Sequence, residues 1–192
     1  MEARPAILAC RQETDNRSRY GRAVDTGALL VDAFGRIREE VHRAVDGLTP
    51  DQLTFRPDAD ANSVAWLIWH LTRIQDDHVA DVAATEQIWT AGGWVERFGL
   101  PFAVTATGYG HRSDEVAAVR VADGTLLTDY YDAVHDHTVA YVGALTDDDL
   151  DRIVDVRWDP PVTLGVRLVS VVSDDLQHVG QAAYVRGLIE RR

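Results

Sequence analysis

Four stretches of this chain place an apolar residue at every third or fourth position, and that helical period constrains the fold more than any other feature. Leu30, Phe34, Ile37, Val41, Val45 and Leu48 make the first stripe. Behind Asn62, read as an N-cap, Leu67, His70, Leu71, Ile74, His78 and Val82 make the second. Leu127, Tyr131, Val134, Thr138, Tyr141 and Leu145 follow Asp123-Gly124 and stop near Gly143. From Thr163 to about Ile189, Leu164, Leu168, Val171, Val172, Leu176, Val179, Ala183 and Val185 make the fourth. Each stripe implies a helix of roughly 18 to 26 residues, about 27 to 39 Å long at 1.5 Å per residue. Four helices of matched length predict an all-α four-helix bundle.

The connections carry their own signals. Gly47 reads as the stop of helix one, and Thr49-Pro50-Asp51-Gln52 supplies an N-cap, a first-turn proline and a capping-box glutamine. Thr146-Asp147-Asp148-Asp149-Leu150 echoes it after the third helix, so the two halves look alike. Between helices two and three, residues 86–123 hold Gly92, Gly93, Gly99, Pro101, Gly108 and Gly110. This density of breakers predicts a long packed loop with one short helix over 113–119, and a loop of that length is a candidate lid or dimer contact. Only 153–156 and 103–106 suggest short strands. Trp89, Trp94, Phe98 and Leu100 lie in the loop and predict a homodimer in which Trp94 or Phe98 is buried by the assembly. Residues 1–25 are polar, with Arg4, Arg11, Arg17, Arg19 and Arg22, and read as an N-terminal extension to a single domain over 26–192.

Composition removes whole classes of chemistry. All 19 basic residues are arginine. Without lysine there is no Schiff base, no pyridoxal phosphate linkage and no phosphate-loop lysine. A net charge of −12 opposes binding to nucleic acid or anionic lipid. The lone Cys10 rules out an intrachain disulfide and multi-cysteine metal sites, so a metal would need His and carboxylate. No apolar run approaches a membrane span, and residues 5–10 are too short for a signal peptide, which predicts a cytoplasmic protein.

Asp174 and His178, four residues apart, share one helix face with Arg167, Val171, Gln181 and Val185. His70 sits among Trp66, Leu67 and Ile74 on helix two. Two imidazoles and a carboxylate turned inward can hold a divalent ion with a position left open, but the same spacing also makes an ordinary ion pair. Two His and one carboxylate further describe a non-haem iron site. His42, His111, His135 and His137 read as solvated, and His78 shares a side with Leu71 and Ile74 without an evident partner. The aspartates at 147–149 lack the glycine and distal glutamate of a calcium loop. Neither a nucleophile elbow nor a dinucleotide-binding glycine pattern is present.

Leu48-Thr49-Pro50-Asp51-Gln52-Leu53, Asn62-Ser63-Val64-Ala65-Trp66-Leu67-Ile68-Trp69-His70, Trp89-Thr90-Ala91-Gly92-Gly93-Trp94, Arg97-Phe98-Gly99-Leu100-Pro101 and His178-Val179-Gly180-Gln181-Ala182-Ala183-Tyr184 resemble the DinB-like superfamily. The resemblance runs from about residue 26 to the end. It is nearest to a bacterial branch of unknown function related to mycothiol-dependent maleylpyruvate isomerase and bacillithiol transferases. It implies a four-helix bundle, commonly a homodimer, with a divalent metal held by one His on helix two and two ligands spaced i, i+4 on the last helix. His70 and His178 match that pattern. Asp174 stands where the family usually has His, and the isomerase relatives place a carboxylate there. The implied ion is zinc, with nickel or iron as alternatives, and the implied co-substrate is a low-molecular-weight thiol. On this reading His70, Asp174 and His178 hold the metal, while Arg167 and Gln181 contact a small-molecule substrate. Arg73 reads as a structural salt bridge, and Arg167 as the partner of Asp174 in a metal-free site. The competing expectation is a non-catalytic dimeric binding module whose metal site has degenerated.

Overall fold

The computed structural model describes residues 25–191, so the stretch 1–24, with its arginines and Cys10, lies outside the described residues. Four long helices form the body: α1 (Thr26–Val45), α3 (Val64–Ala83), α7 (Thr125–Val142) and α8 (Leu164–Ile189). Their lengths are 20, 20, 18 and 26 residues. Short helices lie between them: α2 (Pro50–Leu53), α4 (Ile88–Ala91), α5 (Trp94–Phe98) and α6 (Ser113–Ala118). A 3₁₀ turn over Asp147–Asp151 leads to a two-stranded antiparallel ribbon. In it β1 (Ile153–Asp155) pairs with β2 (Val162–Thr163), with Ile153 opposite Thr163 and Asp155 opposite Val162.

Local chemistry fixes the helix ends. Asp25 caps α1 by accepting from the Ala28 amide, and Gly47, at φ +73°, turns the chain beyond its end. The expected capping box forms: the Thr49 hydroxyl accepts from the Gln52 amide, and the Gln52 side chain accepts from the Thr49 amide. Its echo is present too, the Thr146 amide donating to Asp149. Ser63, not Asn62, caps α3, its hydroxyl accepting from the Trp66 amide. Thr163 caps α8 as its position predicts.

In the bundle α3 packs on α7 and α8, and α1 packs on the same two, so α1 and α3 are diagonal. Phe34, Ile37 and Val41 meet Leu67, Leu71, Leu127, Val134, Leu164 and Leu168 in the core, all at most 1% exposed. Burying each such side chain contributes roughly 1.5–3 kcal/mol. No described helix is long and apolar enough to cross a membrane.

The segment between α3 and α7 departs from the single-helix expectation. It holds three short helices, and 103–106 is a turn closed by the Ala106 amide on the Ala103 carbonyl rather than a strand. Helices of four or five residues show no period to read. The aromatic side chains also correct the assembly argument. Trp89, Trp94 and Phe98 are 4%, 6% and 7% exposed within one chain, packed around Tyr130 with ring centroids 5.3 to 5.8 Å away. The loop folds onto its own bundle, so these rings offer nothing to a partner.

Two buried groups tie the loop down. Asp76 accepts from the Ile88 and Trp89 amides at 2.8 and 2.7 Å, capping α4 from α3. Arg73, fully buried, lies 3.5 Å from Asp76 and donates to Gln87 and to the Ala106 carbonyl. Arg73 is structural, as read from the sequence.

Candidate metal centre

His70, Asp174 and His178 come together where α3 crosses α8, with one donor atom from each within 4.8 Å of the others. The i, i+4 spacing on α8 stacks Asp174 and His178 on one face, and His178 Nε2 lies 3.7 Å from Asp174 Oδ1. His70 comes from the second turn of α3. Its ring meets the His178 ring at 4.7 Å between centroids and 79° between planes.

The His70 imidazole has its proton fixed on the nitrogen away from the cluster. His70 Nδ1 is 2.6 Å from the Thr107 carbonyl, which only accepts, so Nδ1 carries the hydrogen and Nε2 keeps its lone pair. His178 Nδ1 lies 3.4 Å from Gln181 Oε1, so its Nε2 is the nitrogen turned toward Asp174. Histidine ligands are typically oriented by such hydrogen bonds on the opposite nitrogen. Asp174 Oδ2 is out of solvent with no hydrogen-bond partner among the described residues. A buried carboxylate oxygen left bare is costly, and two lone-pair nitrogens beside it make a donor set suited to a divalent cation.

The surroundings are dry on one side and open on the other. Trp66 stacks on His70 at 4.6 Å and 15°, and meets the edge of His178. Burial pulls the His70 imidazole below its usual pKa, against the opposing pull of the Thr107 carbonyl, so the ring is held neutral. Asp174 and His178 keep side-chain exposures of 34% and 19%, so the mouth lies along α8. Gly108 makes the close approach of the loop possible. At φ +96°, a Cβ there would stand 2.7 Å from His70 Nδ1 and 3.0 Å from the Trp69 ring.

The other expected site residues fall differently. Gln181 reaches the cluster, but through His178. Arg167 does not reach it: its guanidinium donates to Asp155 at 3.1 Å, alongside the bidentate grip of Arg157 on the same carboxylate. The expected Arg167–Asp174 pair is therefore replaced by an Arg167–Asp155 pair, because the β1 strand brings Asp155 against the first turn of α8. Arg167 instead lines a separate polar groove of about 420 Å³ with Asp77, His78, Asp81 and Arg157.

Two residues have roles that their sequence context hides. His111, expected on a solvated face, accepts from the Trp66 indole N–H at 3.2 Å and packs between Trp69 and Phe102. Burial lowers its pKa as well. It lies in the glycine-rich loop, where no periodicity marks a facing. Asp175, fully buried on α8, has neither oxygen hydrogen-bonded among the described residues, and burial raises its pKa well above the carboxylate range. One step of 100° from Asp174 was the available signal, since it turns Asp175 to the centre of the buried stripe. His135 is likewise 8% exposed rather than solvated.

The model of the DinB superfamily matches residues 33–182. The chain belongs to that superfamily. A crystal structure of a conserved protein from Enterococcus faecalis is similar over the DinB bundle, with a TM-score of 0.83 and 30% identity. The match covers 88% of this DinB chain and 100% of that one. No protein of curated function matches the chain.

Proposed function

We propose that this DinB-superfamily chain binds one divalent metal ion through His70, Asp174 and His178, and that it is a thiol-dependent S-transferase or isomerase acting on a small molecule. Zinc is the first choice of ion, with nickel and iron behind it, because two imidazoles and one carboxylate suit all three. The single observation that carries the reading is the meeting of His70, Asp174 and His178, one donor atom from each within 4.8 Å of the others, with the Thr107 carbonyl behind His70 Nδ1 and with Asp174 Oδ2 lacking a hydrogen-bond partner among the described residues. A zinc ion at such a site lowers the pKa of a thiol or water in its open position and supplies a nucleophile at neutral pH.

The chain's own groups do the rest. The Thr107 carbonyl and Gln181 Oε1 orient the two imidazoles. Trp66 covers one side of His70 and keeps water from it. The mouth along α8 admits the thiol and its acceptor. Arg167 and the groove around it lie about 10 Å along α8 from Asp174, seven residues at 1.5 Å each, and can meet only the far end of a long substrate.

Asp174 and His178 are already 3.7 Å apart, and that contact supports the second reading, an ion pair in a non-catalytic module. The readings separate on turnover. Zinc-loaded protein should accelerate consumption of a cysteinyl thiol by a soluble electrophile, and His178→Ala should abolish the acceleration with its circular dichroism spectrum unchanged. Acceleration equal in wild type and variant would contradict the enzyme.

A further inference from the structure

Past the candidate metal centre, the seam between α3 and α8 opens into the polar groove of about 420 Å³, and the charges on its two sides do not meet. One side belongs to α3. Asp77 and Asp81 stand one turn apart on it. Asp77 Oδ1 accepts from the Gln87 side-chain amide at 2.8 Å, while the Asp81 carboxylate has no hydrogen bond or ion pair among the described residues. The other side is arginine. Arg157 reaches in from the β1–β2 connection and Arg167 from the first turn of α8, and both donate to Asp155. Asp155 cancels one of the two positive charges, which leaves the other on a pair in which the Arg167 side chain is only 17% exposed. Neither arginine pairs with Asp77 or Asp81 among the described residues. His78 lies between the two sides, its pKa lowered by burial first and by Arg167 second, so a neutral ring separates the charges. The charge of Asp174 acts on the same ring, which makes the groove and the candidate metal centre neighbours.

We propose that this groove seats the zwitterionic α-amino-acid end of the small molecule whose thiol reaches the candidate metal centre, with its ammonium toward Asp77 and Asp81 and its carboxylate toward Arg167 and Arg157. The inference deepens the thiol-dependent reading and rests on it for what lies at the metal. Charge selects the ligand class. The aspartates oppose a simple anion, and the arginine that Asp155 leaves uncancelled opposes a simple cation, whereas a dipolar end satisfies both sides at once. Distance selects its length. Arg167 and Asp174 are about 10 Å apart along α8, which an extended chain of single bonds covers in roughly seven or eight steps. An α-amino acid joined through its side chain to a cysteinyl residue, as in a γ-glutamyl-cysteinyl unit, puts about that many bonds between its Cα and the sulfur. Free cysteine is far shorter and reaches one end only.

The test uses a probe without a free thiol, γ-glutamyl-S-methylcysteine amide, titrated by calorimetry into the full, metal-free chain, so that the groove is read apart from the metal. Saturable binding is expected. Acetylating the probe's amino group, or amidating its α-carboxylate, should each weaken it about tenfold. Asp81→Asn and Arg167→Gln should each weaken binding of the unblocked probe about 5-fold or more. The blocked probes examine both ends in wild-type protein, so the outcome does not depend on a variant folding. Absence of saturable binding overturns the proposal. Equal binding of the acetylated probe makes the groove an anion site, equal binding of the amidated probe makes it a cation site, and either overturns the zwitterion. Unchanged affinity in both variants places the probe elsewhere and overturns it as well. Zinc-dependent thiol turnover in a protein whose groove binds nothing would contradict this inference alone. Groove binding in a protein that takes up no zinc would support the groove and contradict the metal centre instead.

Discussion

His70 is locked from three sides, by the Thr107 carbonyl, the Trp66 ring and the His178 ring, and its chemistry follows from that confinement. Because its folded pKa is lowered, the unfolded chain takes up a proton near pH 6.5 that the folded chain refuses until a lower pH. The buried His135 shifts in the same direction. The stability these groups contribute is therefore complete above about pH 6.5 and is lost as pH falls through their lower folded values. Thermal unfolding of metal-free protein should show Tm falling by about 3 °C or more between about pH 7 and about pH 5.5, and His70→Gln should flatten that fall. A Tm rising over the interval would contradict the shifts. Gln181 offers a second check. Removing a residue that only orients a ligand costs about 10- to 100-fold in metal affinity, so Gln181→Ala should weaken zinc binding by that factor in a competition titration, and His178→Ala by more. Spacing alone puts Asp174 and His178 on one helix face, whereas His70 is joined to them by its core-like neighbours on α3 and by the resemblance to the DinB family. Thr107 and His111 were not legible, since a loop's backbone carbonyls and facings have no period.

At the scale of elements, the loop over 86–123 makes the site as much as the helices do. It presents Thr107 to His70 across Gly108 and is fastened to α3 by Asp76 and Arg73. Gly108→Ala should cost about 1–3 kcal/mol, since φ +96° is strained for alanine and the new methyl meets His70. The same variant should weaken zinc binding by releasing the Thr107 hydrogen bond, and calorimetry on one sample measures both. Asp76→Ala should be harsher, about 3–5 kcal/mol by denaturant unfolding, because it leaves the buried Arg73 uncompensated and uncaps α4. Near-neutral outcomes would mean that the loop is not held through these groups. The four long helices were readable as elements because their buried faces repeat every three or four residues. The aromatic residues of the loop carry no local signal of their facing, whereas Tyr130 on α7 supplies the surface that buries them.

Across the whole molecule, one bundle separates two surfaces of α8 that the sequence alone overlays. The inward and lateral positions carry Asp174, Asp175, His178 and Arg167, and the outward ones carry none of the charge. The pattern of the candidate centre was visible from a single helical face, but its depth, its dry wall and the diversion of Arg167 to Asp155 depend on α3, the loop and the β1 strand meeting in space. A metal ion at that meeting point is what the proposed function needs most. The most direct test is elemental analysis of protein purified without a histidine tag, before and after reconstitution with zinc. About one equivalent per chain is expected, lost in His70→Ala and in His178→Ala. Less than about one-tenth of an equivalent of any divalent ion after reconstitution would contradict it.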